Sequence, residues 1–250
     1  MLRSLVGSEM CIRDRVNACR QLQIKSDRDE LASLFGKLQA SNPAPHAAYL
    51  SLPTLKIASA SPELFLSRTG AKVKTSPIKG TQSLEELSFG KKDQSENVMI
   101  VDLMRNDLGQ ICIPGSVEVA ELLRSEDHPG LRHLVSDVVG ELREGVTWSE
   151  IFSALLPAGS ISGAPKSSAL SVIAENEVLK RGPYCGILGW VQGDRAELSV
   201  ASRIFWQEND GFLKFGTGAG ITFSSEALAE WKETELKAER LISIAGGVKK

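Results

Sequence analysis

The sequence predicts an α+β fold in which most sheets are antiparallel. Short β-like runs follow one another in meander order, once between residues 47 and 79 and again between residues 185 and 217. Helical periods are interspersed among these runs rather than alternating strictly with them, as a parallel βαβ arrangement would require. Neither repeats, linkers nor low-complexity stretches divide the chain, whose 250 residues suffice for one large domain or two small ones.

Taken in order, residues 16–25 read as a strand, and Asp27 to Gln39 as a helix with Leu31, Leu34 and Leu38 on one face. Asn42-Pro-Ala-Pro45 ends it. Strands are expected at Ala47–Leu52, Leu55–Ser59, Leu64–Ser67 and Ala71–Thr75, with Thr69-Gly70 as a hairpin turn. Residues 81–94 are polar and read as a mobile loop. Ser95 is the expected cap of a helix reaching Leu108 and stopping at Gly109. Short strands around Ile111 and Val117 follow, then helices near Leu131–Leu142 and Trp148–Leu155. A further helix opens at about Pro165, a residue suited to a first turn. Strands at Cys185–Gln192, Ala196–Gln207 and Phe212–Thr217 and a final helix over about Glu226–Ile244 complete the pattern.

Met1 to Arg15 lack both periods and the apolar h-region of a signal peptide. The string from Ser4 to Arg15 resembles translated adapter read-through. It is expected to be non-native, with the natural chain beginning upstream of Val16 and residues 16–250 forming one domain incomplete at its N-terminus.

A net charge of −2 disfavours a general grip on nucleic acid, and no apolar run approaches the roughly 18–20 residues that span a bilayer. Four dispersed cysteines without a C-x-x-C pair, and three histidines without zinc spacing, point to a reduced cytoplasmic setting. Any metal would then be hard and oxygen-bound.

Several constellations carry chemical potential, each beside a plainer reading. On the final helix, Trp231, Thr234, Ala238 and Leu241 share one stripe, and Glu226, Glu230, Glu233, Lys237 and Arg240 an adjacent one. That second stripe is either a solvated face with a Glu233–Lys237 pair, or a pair of carboxylates, Glu230 and Glu233, offered to Mg²⁺. Glu96 opens a helix that is apolar nearly all round. It either offsets the helix dipole or ligates a metal. Asp102, Arg105, Asn106 and Asp107 on the same helix are read as a buried polar network. The loop Gly159–Lys166 can hold an anion at a helix N-terminus, although it is not a P-loop. Gly216-Thr-Gly-Ala-Gly220 permits close backbone approach to a ligand, or is simply a tight turn. Arg203 suits a carboxylate or a structural ion pair. Lys79, between Pro77-Ile and Gly80, could act as a nucleophile only if its pKa fell from about 10.4 to about 7–8; otherwise it is a solvated loop lysine.

In order along the chain, Ser61-Pro-Glu-Leu-Phe-Leu66, Pro77-Ile-Lys-Gly-Thr81, Asp102-Leu-Met-Arg-Asn-Asp-Leu-Gly109, His133-Leu-Val-Ser136, Gly159-Ser-Ile-Ser-Gly-Ala-Pro-Lys166, Gly218-Ala-Gly220 and Glu230-Trp-Lys-Glu-Thr234 resemble the chorismate-binding enzymes. That family includes anthranilate, aminodeoxychorismate, isochorismate and salicylate synthases. The resemblance covers Val16 to Leu241. It implies Mg²⁺ held by Glu96 and Glu230, with Glu233 supporting through water. It implies a clamp for the enolpyruvyl carboxylate made of Tyr184, Arg203 and the backbone of Gly218, Ala219 and Gly220. His133 and Ser160 would line the ring pocket, and Glu63 would protonate the departing C4 hydroxyl.

Lys79 stands where anthranilate synthases typically carry alanine, and so resembles the aminodeoxychorismate synthases of p-aminobenzoate and folate biosynthesis. There a lysine attacks C2 of chorismate, and ammonia from a separate glutamine amidotransferase subunit then adds at C4. Anthranilate or isochorismate formation, and a non-catalytic chorismate-binding fragment, are the alternatives. Ser202 and Ser224 depart from the family pattern, which commonly has isoleucine and aspartate at those positions.

Overall fold

The computed structural model describes residues 15–26, 30–85, 88–128 and 131–246. The chain runs through β1 (Arg15–Lys25), α1 (Glu30–Ser41), β2 (His46–Ser51), β3 (Leu55–Ser61), β4 (Leu64–Thr69), β5 (Lys72–Ser76), β6 (Ile78–Gln82) and the long helix α2 (Lys91–Gly109). There follow β7 (Glu118–His128), β8 (Leu131–Glu141), α3 (Trp148–Leu155), α4 (Gly159–Ser162), the two-residue β9 (Gly163–Ala164) and α5 (Lys166–Asn176). The last elements are β10 (Ile187–Gln192), β11 (Arg195–Val200), β12 (Ile204–Glu208), β13 (Phe212–Thr222) and α6 (Ala227–Ile244).

Two sheets result, and every described pairing in them is antiparallel. One has the order β2-β3-β12-β13-β1-β9; the other has β10-β11-β4-β5-β8-β6, with β7 also on β8. The α+β, antiparallel expectation holds. Helices α1 and α6 cover the first sheet around Leu31, Leu34, Leu38, Phe205, Phe215 and Leu241. Helices α2 and α3 belong to the core of the second, around Leu66, Ile100, Leu108, Val138 and Ile151. Each such side chain, fully buried, contributes about 1.5–3 kcal/mol. Thr147 caps α3 reciprocally with Glu150, which fixes where that helix starts.

Of the chain's four passages between the sheets, two are short and neighbour each other. From β3 to β4 the chain crosses over Ser61-Pro62-Glu63, and from β11 to β12 over Ala201-Ser202-Arg203. The crossings are stitched together. Val200 N–H donates to the Glu63 carbonyl at 3.0 Å, Ala60 N–H to the Arg203 carbonyl at 3.1 Å, and the Ser61 hydroxyl to the Val200 carbonyl at 2.6 Å. Proline suits such a place because it has no ladder hydrogen bond to lose. Arg203 turns with φ 52.

Several expectations change. Residues 131–141 form a strand, not a helix. His133 to Val138 are all buried, polar and apolar alike, and β8 has neighbours along both edges, so no alternation marks it as a strand. Helix α2 begins at Lys91 behind Gly90 rather than at Ser95, because Lys91-Lys92-Asp93-Gln94 propagate a helix readily. The strand expected over 196–207 breaks at the crossing, and the strand near Val117 is the long β7. The α2 surface is only half buried: Asp102 and Arg105 pair in solvent at 3.0 Å, and only Asp107 is buried, held by Lys166 at 2.7 Å. On α6 the buried stripe is Glu230, Thr234, Ala238 and Leu241, whereas Trp231 lies exposed beneath the Arg20 guanidinium. The expected start of α1 at Asp27 falls outside the described residues.

Candidate active site

At the seam between the sheets lies a cavity of about 260 Å³. Arg15, Lys79, Lys92, Arg203, Lys237 and Arg240 line it together with Glu63, Asp93, Glu96 and Glu233. Lys79 reaches it through a bulge. Ile78 pairs with Val135 and Thr81 with His133, leaving one extra residue on β6, and Gly80 takes φ 80. A bulge of this kind re-aims a side chain. A Cβ on Gly80 would come within 3.0 Å of Phe89 and Asp93, so the turn requires glycine. Lys79 Nζ donates to the Ser160 carbonyl at 2.9 Å. Burial, followed by the nearby Arg15 guanidinium, pushes the Lys79 ammonium down to about 7, with Glu63 pulling the other way. Lys79 thus meets the condition that its chemistry demands.

Arg203 forms the basic wall. Its Nη2 donates to His133 Nε2 at 3.2 Å, and no carboxylate among the described residues lies within ion-pair distance of it. Burial lowers it to about 10. Taking a guanidinium out of water is costly, and the charge of Glu63 offsets only part of that cost. His133 is held neutral. Burial and then Arg203 push it down to about 3, so Nε2 accepts from Arg203 and the proton lies on Nδ1, 3.0 Å from Thr81 Oγ1. The expectation that His133 lines the pocket is corrected. It is fully buried on β8 and does not reach the lining, because a strand paired along both edges sits behind the wall. Glu63, Ser160, Tyr184, Gly218 and Gly220 do line it. Ala219 is buried but absent from the lining. The Tyr184 ring packs on Gly216, where a Cβ would come within 2.3 Å of it.

The carboxylates begin beside Lys79, since Arg15 donates to the same Ser160 carbonyl at 3.2 Å. Glu96 accepts from Arg15 Nε at 3.3 Å. Glu230 is buried and does not itself reach the lining; its Oε1 accepts from Lys92 Nζ and from the Ser225 hydroxyl, each at 2.6 Å, while Oε2 is buried with no partner. Glu233 pairs with Lys237, whose Nζ also lies 3.5 Å from the Gly218 carbonyl. Burial and the charge of Glu96 raise Asp93. Among the described residues, no three acidic, histidine or cysteine side chains stand close enough to hold a metal unaided. The donors are carboxylate oxygens, the kind that suits Mg²⁺, and the orphaned Oε2 leaves room for one more cationic contact. Arg15, Lys92 and Lys237 were not singled out for this site from sequence. Arg15 had been set aside with the leading segment, although it opens β1 and pairs there with Thr222 and Ala164. Lys92 falls in the stretch 81–94 that reads as a polar loop, and only the earlier start of α2 brings it to this site.

A family model described as "chorismate binding enzyme" matches residues 14–243. The chain belongs to the chorismate-binding enzyme family. It is 38% identical over 225 residues to an anthranilate synthase component 1 of Saccharolobus solfataricus, covering 85% of this chain and 53% of that protein. It is 36% identical over 240 residues to an aminodeoxychorismate synthase component 1 of Salmonella typhimurium, covering 91% and 52%. The solved structure of anthranilate synthase component I from Streptococcus pneumoniae superposes with a TM-score of 0.81 at 31% identity, over 91% of this chain and 53% of that one. The chain spans about half the length of these relatives. Among the described residues no helix is long and apolar enough to cross a membrane.

Proposed function

We propose that this chorismate-binding chain carries the catalytic site for making 4-amino-4-deoxychorismate from chorismate and ammonia. The observation that carries the reading is Lys79, an amine inside the cavity whose proton is lost near pH 7. A neutral amine is a nucleophile; an ammonium is not. Anthranilate and aminodeoxychorismate synthases resemble the chain about equally, so the lysine, rather than the similarity, supports the choice.

Arg203, flanked by Tyr184 and the β13 backbone at Gly218, is the receptor for the enolpyruvyl carboxylate. The ring then lies across the seam between Glu63 and Lys79. The Lys79 amine bonds to C2, the two conjugated ring double bonds each shift by one position and the C4–O bond breaks; Glu63 protonates the departing hydroxyl, water leaves, and the alkylated nitrogen returns a proton to Glu63. Ammonia bonds to C4, the double bonds shift back and the C2–N bond breaks, the proton shed by the new C4 amine passing to the departing nitrogen and restoring Lys79. Mg²⁺, held by Glu96 and Glu230 with Glu233 behind them, would supply charge neutralisation of the ring carboxylate when bound. Arg15 and Lys92 must then release their carboxylates. Ammonia would come from a separate glutamine-hydrolysing component, in keeping with the "component 1" in the relatives' names.

The test is incubation with chorismate, Mg²⁺ and ammonium, with the product identified by chromatography and the intact protein mass followed without ammonium. Aminodeoxychorismate, and an adduct mapped to Lys79, are expected. Anthranilate or isochorismate as product, with no adduct, would overturn the reading.

A further inference from the structure

Behind the cavity wall, two thiols that lie 166 residues apart in sequence meet at 3.9 Å: Cys19 of β1 and Cys185 of the turn before β10. The pair is asymmetric. Cys19 is half-buried, whereas Cys185 is 8% exposed. The Asn17 side chain donates to Cys19 Sγ at 3.3 Å, and Glu177 fixes the Cys19 N–H at 3.1 Å. Arg181 is anchored beside them. It donates to both Glu177 oxygens at 2.6 and 2.7 Å, to the Asn17 carbonyl at 2.7 Å and to the Ile161 carbonyl at 2.8 Å. A hydrogen bond from the Cys185 thiol and then the Arg181 charge hold Cys19 below the ordinary thiol value, while burial pushes Cys185 well above it. One sulfur is therefore disposed to ionise, and the other to keep its proton. A thiolate that is accessible, beside a fixed cation and close to a second thiol, is the arrangement that oxidants select.

We infer that Cys19 and Cys185 form a dithiol that a hydroperoxide oxidises to a disulfide at the rear wall of the cavity. The Cys19 thiolate attacks one oxygen of hydrogen peroxide. The O–O bond breaks, a proton is taken up, water leaves, and Cys19 becomes a sulfenic acid. The Cys185 sulfur then attacks Cys19 Sγ, the S–O bond breaks, and the Cys185 proton leaves with the hydroxyl as a second water. Two thiols lose two electrons and one peroxide gains them. The sulfurs must close from 3.9 Å to about 2.05 Å, a shift that side-chain rotation with small backbone movement can supply. Because Asn17 and Tyr184 line the cavity and touch this pair directly or in sequence, the bond is formed within the site's own wall.

The whole chain is exposed to hydrogen peroxide, quenched in acid, alkylated in denaturant and mapped by peptide mass spectrometry. A Cys19–Cys185 peptide pair lighter by two hydrogens is expected, with both thiols lost to alkylation and recovered after dithiothreitol. Cys112, whose thiol burial pushes up to about 11, should remain alkylated. With Cys185→Ser, oxidation should stop at a Cys19 sulfenic acid that dimedone traps. If that variant fails to fold, Cys19→Ser supplies the complementary result: no linked peptide and an unmodified Cys185. Free thiols at both positions after excess peroxide would overturn the inference. So would Cys19 linked to Cys11, or Cys19 carried to sulfinic acid with Cys185 untouched. None of these readouts depends on which reaction the cavity performs.

Discussion

Two groups of side chains around the cavity, a basic one and an acidic one that meet at the Ser160 carbonyl, hold charge in opposite ways. In the basic group, Arg203 has no ion-pair partner among the described residues, His133 is kept neutral beside it, and Lys79 is driven toward its neutral form. In the acidic group three carboxylates are already matched by a cation: Glu96 by Arg15, Glu230 by Lys92 and Glu233 by Lys237. A polar site without a ligand must either bear the cost of unpaired charge or supply its own counter-ions. This one does both, in different places. The basic group is preorganised for an anion. The acidic group must exchange side-chain cations for whatever enters.

The comparison breaks most visibly at Lys79. Lys79→Met should lower turnover by about 10³-fold or more, as removal of a nucleophile does. In the unsubstituted chain, activity should rise with pH through about 7, where the amine sheds its proton. Stability supplies an independent check. The unfolded chain keeps this proton up to about 10.4 while the folded chain releases it near 7, so between those values the unfolded state binds more protons. Stability should therefore climb with pH across that window, and Lys79→Met should flatten the climb. Thermal melts at several pH values measure it. An identical slope in the variant would show that the lysine is not buried as described.

Arg203 is the second lever. Arg203→Lys keeps the charge but loses the planar fork, and hydrogen bonds to charged groups contribute about 1.5–3 kcal/mol. Chorismate should bind about 10- to 100-fold more weakly, measured by equilibrium titration. Unchanged affinity would move the carboxylate receptor elsewhere.

Much of this was readable beforehand because it rests on local rules. Leu31, Leu34 and Leu38 announced their helix by period, and the ordered motifs drew attention to Glu63, Lys79, Glu96 and Arg203. What escaped depends on tertiary contacts. Strand β8 was unreadable because burial on all sides erases alternation, and with it went the position of His133 behind the wall. Helical spacing alone leaves the Glu230 stripe either solvated or turned to a metal and puts Trp231 with Thr234, Ala238 and Leu241, whereas the packing of α6 on β13 buries Glu230 with those three and turns the tryptophan out. Four dispersed cysteines point to a reduced setting and name no pair. Only folding brings Cys19 to Cys185.

The smallest effect concerns Lys92. Its ammonium sits on Glu230 Oε1 at 2.6 Å while Oε2 of the same carboxylate is bare. If the acidic group works by exchange, Lys92 competes with an incoming cation, and Lys92→Met should bind Mg²⁺ more tightly. The gain is bounded by exposure. Lys92 is 47% accessible, and an ion pair in that setting contributes at most about 1 kcal/mol, or about fivefold in affinity. Calorimetric titration with Mg²⁺, or the Mg²⁺-induced shift in melting temperature, reads this without turnover. Weaker binding in the variant would mean that Lys92 organises the carboxylates rather than occupying them, and both groups would then be preorganised.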